Sequence, residues 1–228
     1  MSFTTVRNNA RSRFTENQIF LSYITSLEPK IITDPVPLEV NIMKGLFYVH
    51  LYSSLEKSLN ELIEDTLIHI SSKSIQYNHF NLPFNSISLV DKLKSFKASG
   101  YGSFFNKAFE IFSEASSPNI CTINETVFAN NLQNVWTKTI EEICNSFGIK
   151  LFAVSPRTKA TIDEIVEKRN AVAHGRESAT IVGQRFRTNV LRTKMDIVID
   201  FCNYLIDLFE NYYTRKEYLK PTAKRRYV

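Results

Sequence analysis

Little in this sequence turns the chain sharply or cross-links it. Six glycines and seven prolines among 228 residues are too few for a many-turned β protein, and long helical periodicities between them predict an all-α fold. Three cysteines, Cys121, Cys144 and Cys202, lie far apart with no Cys-x-x-Cys pair, and read as small core residues of a reducing compartment. The four histidines, His50, His69, His79 and His174, are scattered without a His-x-x-x-His or clustered-acid pattern. That supplies no set of metal ligands, so neither metal nor cofactor is expected. His50, His69 and His79 read as ordinary surface or core histidines. There is no glycine-rich phosphate loop and no convincing base beside a cysteine. No apolar run reaches the length of a membrane span, and the polar, basic opening MSFTTVRNNARSRF is not followed by an apolar stretch. The expectation is a cytoplasmic protein with no membrane partner.

A composition 43% hydrophobic and 22% charged suits a folded chain with one good core, and one domain over residues 1–228 is expected. The net charge of +5 is unevenly spread: residues 150–228 hold 16 Lys and Arg against 9 Asp and Glu, and residues 1–149 hold 12 against 14. The basic half contains Arg176, Arg185, Arg187, Arg192 and Lys194 and ends in a basic tail, 220–228, with Lys224, Arg225 and Arg226. A polyanion such as RNA would be drawn to this half. Solvated surface charges and a frayed tail are the alternative, and charge by itself favours that reading.

Apolar periodicity predicts a first helix over Arg7 to Leu27, stopped by Asp34-Pro35-Val36-Pro37. A long central helix follows from Leu38 to about His69, apolar nearly all round in its first half. Residues 74–123 are less regular, with short helices near 86–97 and 103–115, and read as a variable insert. A helix from about Phe128 to Phe147 should be capped by Gly148. The next helix starts near Thr158 to Thr161 and ends at Gly175, and a closing helix covers Thr188 to Tyr213.

The helix ending at Gly175 carries the chemistry. Ile162, Ile165, Val166, Val172 and Ala173 form an apolar stripe at about 100° per residue, and Arg169 projects from its centre. A guanidinium cannot escape desolvation by losing its proton, so an anion and several acceptors must meet it. Asn170 and His174, four residues apart, are neighbours on one flank. His174 falls in the last turn, where the helix dipole favours a protonated imidazole. A fixed cation, an amide and a titratable ring are the parts for moving a proton near a phosphate. Glu56 is the odd charge of the long helix, sharing the apolar flank of Val49, Tyr52 and Ile63. It is expected to lie near Arg169 as a buried pair that fixes the guanidinium.

These segments, in this order, resemble the HEPN superfamily, small all-α domains best known as metal-independent ribonucleases and often encoded in toxin-antitoxin and phage-defence loci. VEKRNAVAHGRES matches the family's pattern of Arg, polar residue, spacer and His. LYSSLEKSLNELIED, LQNVWTKTIEEICNSFGIK and FCNYLIDLFENYYTRKEYL are similar to further helices of a stand-alone bacterial branch, so the resemblance spans most of residues 38–219. It implies an HEPN-like helical bundle with long central helices and a small insert, acting as a homodimer whose two motif segments face each other across a cleft. It further implies that Arg169 holds the scissile phosphate, Asn170 orients the phosphate or the histidine, and His174 transfers a proton. The products would carry 2′,3′-cyclic phosphate and 5′-hydroxyl ends, and an antitoxin or defence-system protein would be a partner. In one branch a modified tyrosine stands two residues after the histidine. Here that position is Arg176, so that regulation does not carry over. The rival reading is a non-catalytic helical module that binds RNA, a nucleotide or a protein, with Arg169 and Glu56 as a structural pair.

Overall fold

A computed structural model describes residues 3–31, 33–151 and 154–227. The outermost residues of the expected 1–228 domain, including Val228 of the basic tail, lie outside the described residues. The described residues are helical, with two isolated β-bridges and no strand.

The frame is helix α2, Leu38–Ser71, whose buried residues run from Val40 to Ile70. Helix α1, Thr4–Leu27, lies along it and buries Val6, Ala10, Phe14, Leu21 and Ile24. The closing helix α9, Thr188–Thr214, packs against both. Three polar donors on these inner faces are matched: Asn17 is buried and donates to Ser54 Oγ at 2.6 Å, while Ser58 and Thr66 donate to carbonyls one turn back. This is how a helix with serines on its buried side stays in a core.

The N-terminal end of α2 crosses a short helix, α8, Ala179–Gly183, that periodicity did not reveal. The two backbones approach so closely that a Cβ on Gly45 would lie 2.0 Å from the Ala179 carbonyl oxygen, and one on Gly183 would lie 1.9 Å from that of Asn41. Only glycine fits at either position. Beside this crossing, Lys44 is buried and donates to Glu28 Oε1 at 3.1 Å and to the Phe186 carbonyl at 3.0 Å. Glu28 also accepts from the backbone N–H and hydroxyl of Thr188, at 3.0 and 2.6 Å. One carboxylate thus joins α1's end, α2 and the free amides at the start of α9. Burial alone would push the Glu28 carboxyl up, but hydrogen bonds from Thr188 and Lys44 hold it below its ordinary range.

Helix α6, Thr137–Phe147, is capped by Gly148 in the left-handed region at φ 82°, as its sequence predicts. Its start differs from the expected Phe128. Residues 131–133 form a 3-10 turn instead, because Tyr52 and Asp163 take the hydrogen bonds a helix would need. The Tyr52 hydroxyl donates to the Gln133 carbonyl at 3.1 Å and accepts from the Val135 N–H at 3.2 Å. Asp163 caps α6 by accepting from the Thr137 N–H and hydroxyl at 2.9 and 2.8 Å. In the insert, α3, Asn85–Ser88, and α4, Val90–Ala98, replace one expected helix, and α5, Phe104–Ala115, matches the second. The basic tail is folded rather than frayed: the Lys220 N–H donates to the His79 carbonyl at 2.9 Å, Ala223 is buried, and Tyr227 Oη lies 2.6 Å from His79 Nδ1.

Candidate active site

The motif helix, α7, Pro156–Ala173, begins where Ser155 Oγ accepts from the Thr158 N–H at 3.0 Å and Pro156 occupies the first turn. Those two residues set the start just ahead of the expected Thr158. Ile162, Ile165 and Val166 are buried against α2 and α9 as the stripe predicts. Towards the C-terminus the buried face turns: Ala171 is buried, Val172 partly so, and Ala173 is exposed, contrary to its expected place in the stripe.

Arg169 therefore sits where the packed face opens to solvent, with its side chain 18% exposed, and Glu56 is 28% exposed. The two meet at 3.0 Å between Arg169 Nη2 and Glu56 Oε2. Their proximity is as expected from the sequence, but the pair is half-buried rather than sealed. Arg169 Nη2 also donates to the Gln133 carbonyl at 3.4 Å, and Nη1 donates to Asn170 Oδ1 at 2.7 Å. The guanidinium carbon lies 3.9 Å from the centre of the Tyr52 ring, a cation-π contact. Burial, reinforced by the Glu56 charge, raises the Tyr52 phenol above its usual range. The tyrosine thus acts as platform and clamp. Asn170 Nδ2 continues the chain by donating to Asn134 Oδ1 at 3.2 Å.

These bonds use three of the five guanidinium hydrogens. The Nε hydrogen and one on Nη1 have no protein acceptor among the described residues. His174 closes α7 as its cap residue, with its backbone N–H donating to the Asn170 carbonyl at 3.1 Å and Gly175 following at φ 69°. Its imidazole is exposed and makes no hydrogen bond among the described residues. Arg169, Asn170 and Glu56 are thus brought together, while His174 stands at the helix end, about 140° from Arg169 around the axis at 100° per residue.

The outlying cations divide. Arg176 pairs with Glu167 at 3.2 Å, and Arg185 pairs with Glu177. Arg187 donates to the Pro29 carbonyl at 3.1 Å and lies 3.9 Å from Glu28. Lys194 pairs with Glu164 and lies over the Phe186 ring at 4.4 Å. Of the four residues read as RNA contacts, Arg192 is exposed without a partner among the described residues, and the other three have protein acceptors. Sequence reasoning passed over Gln133 and Asn134, since nothing local marks a loop amide as part of a site. Tyr52 carries a signal, one turn ahead of Glu56. No group of three or more His, Cys, Asp or Glu that could hold a metal occurs among the described residues. No described helix is long and apolar enough to cross a membrane.

An all-α bundle that presents an Arg-Asn-x-x-x-His helix end, braced by an acid from its central helix, is the architecture of a HEPN domain. The chain belongs to the RiboL-PSP-HEPN family, which matches residues 11–214. No match was found among the curated proteins or among the solved structures.

Proposed function

We propose that this chain is a metal-independent endoribonuclease that works as a homodimer, its two motif segments facing each other across a cleft. The observation that carries the reading is a guanidinium fixed on one side by Glu56, Asn170 and Tyr52, with two of its donors free among the described residues, on a helix whose end carries an exposed imidazole with no partner among them. Held this way, Arg169 loses little freedom on meeting a phosphate and stabilises the charge that grows on its oxygens. Asn170 orients the phosphate. His174 takes the proton from the 2′-hydroxyl or returns one to the leaving 5′-oxygen, giving 2′,3′-cyclic phosphate and 5′-hydroxyl ends. Because Arg169 and His174 diverge around α7, a partner copy that brings a second helix end completes the geometry. The whole chain acts as one cytoplasmic domain, and a partner antitoxin or defence protein would restrain it.

In excess EDTA the purified protein should cut RNA and leave DNA intact, with cyclic phosphate ends on the products. Arg169→Ala and His174→Ala should each lower the rate by about 10²-fold or more. Cleavage that survives both substitutions removes this site. The second reading, a non-catalytic module, is favoured by one feature: Glu56, Gln133 and Asn170 already supply acceptors to Arg169. It predicts no cleavage, and a fall in melting temperature with Arg169→Ala.

A further inference from the structure

Helix α5 buries none of its residues. Ala108, Ile111 and Ala115 turn toward the body of the protein, while Phe105, Phe109 and Phe112 turn outward at 73, 72 and 71% exposure. Tyr101, one turn earlier and 87% exposed, extends the row. Spacings of four and three place the three phenylalanines on one helical stripe, and Tyr101 precedes it in a separate 3-10 turn, Tyr101–Ser103. At 150–250 Å² per aromatic side chain, the four rings present about 600 Å² of apolar surface, as large as the biggest patch on a typical monomer.

The flanks of the stripe are Asn106, Ala108, Ser113 and Ser116, none charged. The charges of α5 lie on its other side and are matched there, Lys107 to Glu110 at 3.0 Å and Lys92 of α4 to Glu114 at 3.6 Å. On this face α5 itself offers no cation to a polyanion or an anionic lipid surface. An uncharged aromatic row fits a surface like itself.

We infer that the outer face of α5 docks a second copy of this chain, the two helices antiparallel about a twofold axis near Phe109. Area and shape both support that occupant. Two such faces would bury about 1,200 Å² together, the lower bound of a standard specific interface. Behind Phe109 and Phe112, the turn through Ser113 to Pro118 forms an open groove of about 550 Å³. With the axis between residues 108 and 109, Phe105 of each copy stands opposite Phe112 of the other and enters that groove. The contact is isologous: knob and groove are both present on one chain. This interface is separate from the motif helices and independent of any nuclease activity.

The test measures the mass of the full chain by sedimentation between micromolar and hundred-micromolar concentrations, for wild type and Phe105→Ser/Phe109→Ser. The variant mass should be half that of wild type at the highest concentration, with RNA cleavage at saturating protein unchanged. A second arm leaves the rings intact. Cys121, Cys144 and Cys202 are buried, so a Glu110→Cys variant, at an exposed position on the charged side of α5 outside the groove, takes a single spin label. Two labels should then report one short intermolecular distance, which Phe105→Ser abolishes. Equal masses for wild type and variant together with no label–label distance overturn the proposal. So does a loss of RNA affinity at unchanged mass, which would make the row a base-stacking face. A failed cleavage assay bears on Arg169 and His174 alone.

Discussion

Tyr52, Lys44 and Glu28 each have partners at the centre of this fold, and removing one side leaves hydrogen-bonding groups unmatched. Tyr52→Phe keeps the ring under Arg169 but strips the acceptor from Val135 and the donor from Gln133. It should cost about 1–3 kcal/mol in urea unfolding and lower cleavage by loosening the Gln133-Asn134 segment. Lys44→Met removes the ammonium from a buried carboxylate and should destabilise by about 3 kcal/mol, with partial recovery when Glu28→Gln is added. Arg187→Ala and Lys194→Ala, whose cations have protein acceptors, should shift the melting temperature more than RNA affinity, and Arg192→Ala the reverse. At this scale the sequence discloses which residues are unusual. Arg169 and Glu56 stand out because each puts a charge on an apolar flank. Lys44 escapes notice because a long apolar stem in a rich apolar run looks like a snorkelling surface residue until its acceptors are seen.

Among the elements, α1, α2, α7 and α9 are written in periodicity, and their observed ends fall within a few residues of the expected ones. The start of α6 is not, because Leu132, Val135 and Trp136 have helix-like spacing while the backbone at 131–136 is bonded to Tyr52 on another helix. Helix α8 has five residues, too few to show a period. What reveals it is two glycines, Gly45 and Gly183, at a backbone crossing. Gly45→Ala should force α2 and α8 apart and cost about 1–3 kcal/mol, measured by chemical unfolding. Gly100→Ala, which meets nothing within 4 Å, should stay near neutral.

For the molecule as a whole, the charge ledger of the sequence overstates the free positive surface, since Arg176, Arg185, Arg187 and Lys194 are matched by acids or carbonyls. Acid should undo part of this matching. Glu28 is held below its ordinary value of 4.5, so the unfolded chain takes up its proton first. The stability from this carboxylate is full above about pH 4.5 and is lost as pH falls through the lower folded value. Thermal unfolding followed from pH 7 to 3 should show that loss in wild type, and Glu28→Gln should start lower at pH 7 and fall less. Local composition and periodicity by themselves determined the all-α class, the principal helices and the presence of a cation that needed an anion, because each follows from the residue and its neighbours within a turn or two. Only the tertiary structure decided that the pair is half open, that Tyr52, Gln133 and Asn134 complete its shell, and that the aromatic row of α5 is left uncovered. Those outcomes depend on which distant backbone groups meet, and a single chain's local pattern does not encode that distance.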